Sequence, residues 1–366
     1  MGDVRVMLVS PYSLTEFGGV QGQVLGLARA LRELGADARV IGPCDGPPPE
    51  PGVTSVGRST TRWEANDSLA PIASSRAVAA RTLEAIRVFD PTVLHLHEPL
   101  VPGPTHAALL GTDVPSVGTF HAWYPGGPPA ITRRLRAPVR AALARLAYCT
   151  AVSEEAASMA EGGYAVACEV LFNGVDVDRF AKAEPWPTEE TVVLFVGRHE
   201  PRKGLGVLLD AWSGLDRDAR LWVAGEGPET LELRARAVPG VEWLGRIGDE
   251  ELAARLQAAT VFCAPALSGE SFGVVLLEAM AARTPVVASD IPGYRNVARA
   301  DHEALLVAKG DPDALRAALR RVLDEPATRA ALVAAGDARA DEFALRRLAE
   351  RYLEVYERAV RTPPVP

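Results

Sequence analysis

Three cationic side chains lie close together after an apolar run of the sequence. Arg198, Arg202 and Lys203 fall within six residues, and residues 192–196 before them have the pattern of a strand. A guanidinium offers a fork of N–H donors and an ammonium offers a compact charge, a combination suited to a diphosphate. The pattern therefore predicts a diphosphate-binding loop. The alternative is a solvated basic loop.

Two carboxylates form a second candidate site. Glu270 and Glu278 flank an apolar stretch, and Glu270 lies near a predicted helix start. The N–H groups of Ser271, Phe272 and Gly273 would be free there to bind an anion. Glu278 would be a charge in an apolar helix, which is costly unless it accepts hydrogen bonds. A ligand with paired hydroxyls, such as ribose, would supply them, and a carboxylate satisfied by protein donors is the alternative.

A pair of glycines forms the third candidate. Gly18 and Gly19 precede a predicted helix at about 20–34. Backbone can approach a ligand closely at glycine, and the free N–H groups of a helix start favour an anion. Their spacing is not that of a dinucleotide-binding GxGxxG, and the sequence has no Walker loop. A simple turn before a helix is the alternative.

The segments that must position these residues alternate between strand and helix patterns, in two series along the chain. The predicted strands cover residues 4–9, 38–42, 93–97, 116–120, 148–152, 192–196, 220–224, 241–244, 261–264, 285–288 and 304–307. Helical patterns lie between them, and residues 43–57 have the composition of a loop. Such alternation predicts an α/β fold with two doubly wound, Rossmann-like parallel-sheet domains, whose ligands bind at the carboxyl ends of the strands.

Length and composition exclude several classes of protein. The 366 residues suit two domains, and 48% hydrophobic residues are enough to exclude general disorder. No apolar run reaches the roughly 18 residues of a membrane-spanning helix. The net charge of -8 argues against a general nucleic-acid binder, so no nucleic-acid partner is expected. The N-terminal residues lead straight into a strand pattern, which favours a cytoplasmic protein without a secretory signal.

The cysteines are too scattered to predict a bound metal or a disulfide framework. Cys44, Cys149, Cys168 and Cys263 include no CxxC pair. This spacing is typical of small core residues in a reducing cytoplasm.

Taken together, these motifs resemble those of the retaining glycosyltransferases of the GT-B fold, family four, which use nucleotide-sugar donors. Within that family they are most similar to the actinobacterial phosphatidylinositol mannosyltransferase branch. The resemblance runs along nearly the whole chain and is carried by residues 11–13, 18–21, 95–99, 119–121, 173–176, 200–204 and 270–273. It implies two Rossmann-like domains facing a cleft. The domains implied are an acceptor-binding one at 1–172, a nucleotide-sugar-binding one at 173–343, and a C-terminal helix at 344–366 that crosses back.

The resemblance also implies roles for individual residues. Arg198 and Lys203 would hold the donor diphosphate, Glu270 would contact the hexose hydroxyls, and Glu278 would bind the ribose. The backbone would make the remaining donor contacts, at Gly19, Ile247, Phe272 and Gly273. The acceptor side would be lined by Tyr12, Gln21 and His121, with His121 beside the reacting centre.

The implied reaction is transfer of a hexose with retention, with mannose from GDP-mannose and a phosphatidylinositol-type lipid as the expected substrates. Arg198 and Lys203 would stabilise the leaving diphosphate, so no cofactor and no metal are expected. One alternative is another UDP- or GDP-linked sugar with a small-molecule or polyprenyl-linked acceptor. Outside the class, the alternatives are a nucleotide-sugar epimerase and a non-catalytic sugar binder.

Two further patterns have structural interpretations. Asp176 and Asp178 form a DxD pair, a metal signature of another glycosyltransferase fold, but at a predicted domain junction they are expected to cap or turn the chain. His95 and His97 alternate along a predicted strand, and we predict that they point to opposite faces. His97, followed by Glu98, is then the better site candidate.

A basic amphipathic helix is the candidate for membrane contact. Five arginines alternate with apolar residues in the predicted helix at 130–146: Arg133, Arg134, Arg136, Arg140 and Arg145. Such a face suits an anionic membrane at the inner side of the plasma membrane. The alternative is an ordinary covering helix with a solvated arginine face.

Overall fold

The computed structural model describes residues 4–16, 18–65, 68–123, 136–215 and 218–361. The chain divides into two units. The first consists of Met1–Gly174 and Leu345–Pro366, and the second consists of Val175–Ala344.

The elements of the first unit alternate from the start. Its described strands are β1 (Arg5–Val9), β2 (Asp37–Gly42), β3 (Val53–Ser55), β4 (Thr61–Ala65), β5 (Ser68–Ile72), β6 (Val93–His97), β7 (Ser116–Phe120), β8 (Tyr148–Ala151) and β9 (Glu169–Val170). Its described helices are α1 (Gly19–Glu33), α2 (Arg76–Phe89), α3 (Pro104–Gly111), α4 (Arg136–Leu143), α5 (Glu154–Tyr164) and the C-terminal α14 (Leu345–Arg361).

In the described part of this unit, seven strands pair in parallel in the order β3-β2-β1-β6-β7-β8-β9, and β4 and β5 form an antiparallel hairpin. The chain runs outward from β1 to β3 and then resumes on the other side of β1 at β6. The strand order therefore reverses between β1 and β6. In doubly wound sheets such a reversal opens a crevice at the carboxyl ends of the two strands.

The central strand β1 is apolar because both of its faces are covered. Val6 and Leu8 pack in one cluster with residues of α1 and α14. Met7 and Val9 pack in another cluster with residues of α2 and α3. Alternate side chains of a strand point to opposite faces, so a run of four apolar residues supplies both layers.

Helix α14 docks on this sheet through a buried polar network. Tyr356 Oη lies 2.8 Å from His95 Nδ1, and Tyr352 Oη lies 3.2 Å from the hydroxyls of Thr119 and Thr150. All five side chains are buried. Removing one partner would leave a buried polar atom unsatisfied, at a cost of about 1–3 kcal/mol. The network therefore fixes the last helix on the first unit.

The second unit repeats the architecture. Its described strands are β10 (Val192–Val196), β11 (Arg220–Ala224), β12 (Val241–Gly245), β13 (Val261–Ala264), β14 (Val286–Ser289) and β15 (Ala304–Val307). Its described helices are α6 (Val177–Ala181), α7 (Leu205–Ser213), α8 (Thr230–Ala235), α9 (Asp249–Ala258), α10 (Val274–Ala281), α11 (Pro292–Arg295), α12 (Pro312–Asp324) and α13 (Pro326–Glu342), with a 3-10 turn at Pro201–Lys203.

These six strands pair in parallel in the order β12-β11-β10-β13-β14-β15, so the strand order reverses between β10 and β13. Helices separate most successive strands and cover the sheet. The predicted α/β class, with a doubly wound parallel sheet in each half of the chain, is confirmed.

Four strands and one helix of the first unit escaped prediction, among them the two-residue edge strand β9. Strand β3 lies within the segment predicted as a loop, because its three residues pair only with the edge of β2. The hairpin β4–β5 lies outside the parallel sheet and has no alternating partner helix. Helix α3 begins at Pro104 and is apolar with almost no amphipathic period, so no helical pattern marks it.

The predicted basic helix is only partly visible. Residues 124–135, with Arg133 and Arg134, lie outside the described residues, and α4 covers only the middle of the predicted range. The prediction is wrong for Arg145, which lies after this helix. Its guanidinium donates to the carbonyls of Leu109 and Thr112 at 2.9 and 3.0 Å, so it anchors the end of α3. No helix in the described ranges has the length and apolar character needed to cross a membrane.

Candidate active site

The two strands at the reversal of the second sheet carry the predicted donor residues. The loop after β10 holds Arg198 and Lys203, and the loop after β13 leads to Glu270. The two loops are in close contact: the amide of Leu267 donates to the carbonyl of Arg202 at 2.7 Å. Because the carboxyl ends of parallel strands meet at one edge, Arg202 and Gly269 become neighbours although they are 67 positions apart.

The Glu270 carboxylate is the centre of this contact. Its Oε1 lies 2.6 Å from Lys203 Nζ and 2.8 Å from Arg202 Nη1. Burial raises the pKa of Glu270, but Lys203 and Arg202 outweigh it and hold the pKa below its ordinary value. Glu270 is therefore a fixed counter-charge to Lys203 and Arg202.

A second buried carboxylate orients the arginines. Glu200 Oε1 lies 3.1 Å from Arg198 Nε, and its Oε2 lies 3.0 Å from Arg202 Nε. The side chains of Arg202 and Lys203 are only 13% and 19% exposed, whereas that of Arg198 is 44% exposed. Charges held in a poorly solvated pocket interact more strongly with an anion than charges in water.

Sequence reasoning gave specific roles to Arg198 and Lys203 but none to Arg202 or Glu200. Arg202 was visible as one of three clustered cations, yet its contact with Glu270 depends on β10 and β13 being neighbours. The role of Glu200 had no sequence signal beyond its position between the cations. Both residues belong to the candidate site.

Glu278 lies in α10 and is half-buried. No hydrogen bond or ion pair reaches its carboxylate from the residues that the structure describes. Burial raises the pKa of this carboxyl to about 7, against the charge of Arg179. The sequence left open that protein donors satisfy the Glu278 carboxylate. The described residues supply no such donor.

The other predicted residues of the second unit lie just before two of its helices. The Phe272 ring is buried and packs edge-on against Phe343, with centroids 5.5 Å apart. Gly273 caps α10 with a φ of 98°, and a Cβ there would lie 2.7 Å from the Tyr294 ring. Ile247 is half-buried between β12 and α9.

In the first unit, the loop after β1 and the first turn of α1 carry three predicted residues. Gly19 begins α1, and a Cβ added there would meet nothing within 4 Å. Tyr12 is buried against Ile72, and the Gln21 amide donates to the carbonyl of Ser13 at 3.3 Å. Gly19 thus presents open backbone, whereas Tyr12 and Gln21 shape the loop from within.

His121 follows β7 and belongs to a buried histidine cluster at the carboxyl ends of β6 and β7. Its Nε2 lies 2.9 Å from His97 Nδ1, and the His97 ring stacks on His95 with centroids 4.1 Å apart. The prediction that His95 and His97 point to opposite faces is wrong. Residues two apart on a strand share a face, since the side-chain period is two.

Glu98 holds the backbone beside this cluster. Its Oε1 accepts hydrogen bonds from the amides of His121 and Ala122, both at 2.6 Å. Burial raises the pKa of Glu98 to about 7, against these two donors. Glu98 therefore sets the path of the chain that leads to His121.

The buried histidines make stability depend on pH. Burial lowers the pKa of His95 and of His121 to about 3 and that of His97 well below its ordinary value. The folded protein keeps all three neutral, whereas the unfolded chain takes up protons below about pH 6.5. Each histidine should therefore lower the free energy of unfolding by about 1.4 kcal/mol for every pH unit by which the pH falls from 6.5 toward 4.

This pH dependence is testable by urea unfolding at several pH values. In His97→Gln, the slope of the free energy of unfolding against pH should be smaller by about 1.4 kcal/mol per pH unit, the contribution of one histidine. His302→Gln is the comparison variant, because the His302 ring is exposed and contacts Glu303 at 3.0 Å, so its loss removes a surface contact and not a buried neutral ring. An unchanged slope in H97Q would contradict the neutral buried cluster.

The DxD pair has the predicted structural role. The Asp176 carboxylate caps α6 by accepting from the amide of Arg179 at 3.1 Å. Asp178 pairs with Lys182 at 2.9 Å. Among the described residues, no group of three or more His, Cys, Asp or Glu side chains is arranged to hold a metal ion.

Comparison with known families covers almost the whole chain. Residues 17–179 match the model "Glycosyltransferase Family 4". Residues 176–339 match the model "Glycosyl transferases group 1". The two matches follow the two units closely.

Relatives match over nearly full length. The chain is 37% identical to a phosphatidyl-myo-inositol mannosyltransferase of Mycobacterium leprae, over 97% of this chain and 96% of that protein. It is 34% identical to the protein of the same name from Mycolicibacterium smegmatis, over 97% of this chain and 94% of that protein.

Solved structures share the architecture at lower identity. A glycosyltransferase from Rickettsia africae superposes with a TM-score of 0.74 at 17% identity, covering 98% of this chain and 99% of that one. Anabaena HepE in complex with UDP-glucose gives a TM-score of 0.73 at 17% identity, covering 96% and 99% of the two chains. These likenesses show a common fold.

Proposed function

Because this chain belongs to the group 1 glycosyltransferases of family four, we propose that it transfers mannose from GDP-mannose to an inositol phospholipid, with retention of configuration. The names of the mycobacterial relatives support this acceptor and this sugar, since they match at 34–37% identity along nearly the whole chain. The second unit then binds the nucleotide-sugar and the first binds the acceptor.

The observation that carries the proposal is the cluster of Arg202, Lys203 and Glu270 at the reversal of the second sheet. A nucleotide-sugar reacts by losing a diphosphate, so its transition state gains negative charge on the leaving oxygen. Preorganised cations in a poorly solvated site stabilise such charge without rearranging, each by on the order of 3 kcal/mol. The cluster supplies this charge from protein side chains, so the reaction needs no metal.

The donor extends from this cluster along the strand ends. Arg198 and Lys203 hold the diphosphate, and Glu270 accepts hydrogen bonds from hexose hydroxyls. Glu278 accepts from the ribose hydroxyls, a role supported by a carboxylate that accepts no hydrogen bond from the described residues and whose pKa burial raises to about 7. Backbone groups at Ile247, Phe272 and Gly273 complete the contacts to the base, sugar and phosphate.

The first unit contributes the acceptor side, together with the backbone of Gly19 for the donor diphosphate. Gly19 offers open backbone at the N-terminus of α1, which favours an anion. We propose that His121 serves the reacting centre, a role supported by the fixed position that His97 and the Glu98 carboxylate give it. Tyr12 and Gln21 fix the loop after β1 from its buried side.

The bond changes follow from this arrangement. The acceptor hydroxyl attacks the anomeric carbon on the face that the diphosphate leaves, the carbon–oxygen bond to phosphate breaks, and the departing phosphate takes the acceptor proton. The products are a mannosylated lipid and GDP. An acceptor of this kind brings the enzyme to an anionic membrane surface on the cytoplasmic side.

A nucleotide-release assay tests the proposal. We expect GDP release from GDP-mannose only with phosphatidylinositol vesicles, with an unchanged rate in EDTA and an α-linked mannolipid as product. UDP-glucose, UDP-N-acetylglucosamine and GDP-glucose serve as matched donors, and polyprenyl phosphate and free inositol serve as matched acceptors.

Each other result favours an alternative. Conversion of the donor without acceptor identifies an epimerase, and binding without turnover identifies a sugar binder. Turnover with another donor or acceptor would keep the enzyme a glycosyltransferase but would replace GDP-mannose or phosphatidylinositol as its substrate. Loss of activity in EDTA contradicts the metal-free mechanism.

A further inference from the structure

We propose that Cys149 and Cys168 form a dithiol, and that a peroxide oxidises this dithiol to an intrachain disulfide. Cys149 lies in β8, and Cys168 directly precedes β9, the neighbouring parallel strand at the edge of the first sheet. The site does not depend on the transferase reaction, since none of the proposed donor or acceptor residues belongs to it.

The strand register places the two cysteines side by side. Thr150 pairs with Glu169 and Ala151 with Val170 in the β8–β9 ladder. Cys149 and Cys168 each precede the first of these pairs by one residue. Neighbouring strands lie about 4.8 Å apart, which falls within the Cα separations that a disulfide spans.

The neighbours of the two cysteines show that both thiols point to the same face. The Thr150 hydroxyl lies 3.2 Å from Tyr352 Oη, and Glu169 Oε1 lies 2.8 Å from Arg351 Nη2, so both point to α14. Side chains one position away in a strand point to the other face. Cys149 and Cys168 accordingly pack together against the cluster formed by residues of α4 and α5.

A solvent-accessible groove reaches this pair. The groove has a volume of about 690 Å³, and its lining includes Cys149, Cys168, Arg140 and Tyr164. Both cysteines are half-buried, whereas Cys44 and Cys263 are buried. A small oxidant therefore meets the pair before it meets the other two thiols.

The two thiols differ in reactivity. The neighbouring Cys168 thiol, together with burial, raises the pKa of Cys149. The Cys149 thiol in turn lowers the pKa of Cys168, against burial and the Glu161 carboxylate. The thiolate is the reactive form, so Cys168 is the attacking sulfur and Cys149 the resolving one.

The chemistry balances with a peroxide as the two-electron oxidant. The Cys168 thiolate attacks a peroxide oxygen, the O–O bond breaks, and the leaving oxygen takes a proton. Cys168 becomes a sulfenic acid. The Cys149 sulfur then attacks the Cys168 sulfur, the S–O bond breaks, and hydroxide leaves with the Cys149 proton as water.

The test is hydrogen peroxide treatment of the full, reduced protein. We expect an intact mass lower by about 2 Da and the loss of two of the four free thiols. Digestion with trypsin and a Glu-specific protease, which cleaves between the two cysteines at Glu154, Glu155 and Glu161, should yield a cross-link between the peptides that carry Cys149 and Cys168. Cys149→Ser should leave a sulfenic acid at Cys168 that dimedone traps. Cys168→Ser should remove the fast oxidation, and Cys44→Ser should leave it unchanged.

Two results would overturn the proposal. One is oxidation of Cys44 or Cys263 as fast as that of the pair. The other is the absence of the cross-linked peptide from folded, peroxide-treated wild-type protein, which needs no variant to fold.

Discussion

Lys203→Ala is expected to lower kcat/KM for the nucleotide-sugar on the order of 100-fold, because one well-placed charge contributes about 3 kcal/mol to the transition state. Lys203 Nζ lies 2.6 Å from Glu270 Oε1, so its position is fixed before the ligand arrives. Glu270→Gln removes the counter-charge that orients this cluster and should lower kcat/KM by about tenfold or more. Steady-state kinetics of GDP release measure both effects.

The sequence offers a matched control in Lys182, whose side chain is 72% exposed and pairs with Asp178 on the surface. Lys182→Ala should keep kcat/KM close to wild type, because exposed ion pairs contribute little. Urea unfolding of each variant separates loss of catalysis from loss of fold. Wild-type kcat/KM in K203A or E270Q would remove these residues from the site.

Gly204→Ala is expected to destabilise the second unit by about 3 kcal/mol or more and to abolish transfer. Gly204 has a φ of 68°, and a Cβ there would lie 2.0 Å from the carbonyl oxygen of Pro265. The backbone at Gly204 or at Pro265 would have to move to relieve this clash. Either movement would separate the loops after β10 and β13. The contact between Lys203 and Glu270 would be lost with them.

Gly206→Ala is the matched control two residues away. It lies in the first turn of α7, where a Cβ would meet its nearest atoms at 3.7 and 3.8 Å, an ordinary contact. Alanine should raise stability there by up to about 1 kcal/mol, since glycine weakens a helix. Hydrogen exchange of peptides covering β10 and β13 reports both changes, and equal protection in the two variants would contradict the prediction.

Much of the donor site could be predicted from the chain because it depends on local pattern. Apolar runs mark β10 and β13, and the residues that follow such strands must lie at the carboxyl edge of the sheet. The order of the strands in the sheet then determines which of these loops are in contact. The pairing of Arg202 with Glu270 depends on β10 and β13 being neighbours, which no local pattern specifies.

The contacts of the histidines and cysteines also depend on tertiary structure. The hydrogen-bond partner of the His95 ring is Tyr356, which is 261 residues away in the sequence. Cys149 and Cys168 looked like separate core residues because β9 has only two residues and no strand pattern. Short edge strands pair by context, so their registers appear only in the structure.

The return of the chain to the first unit has a consequence for biosynthesis. The second unit begins and ends at adjacent points, since the Val175 amide donates to the Phe343 carbonyl at 2.8 Å. The first 174 residues leave the ribosome without α14, whose tyrosines satisfy buried polar groups of the first sheet. Domains fold in the order of synthesis when they are contiguous. Here the inserted second unit can complete its fold first, while the N-terminal unit stays incomplete until the last helix emerges.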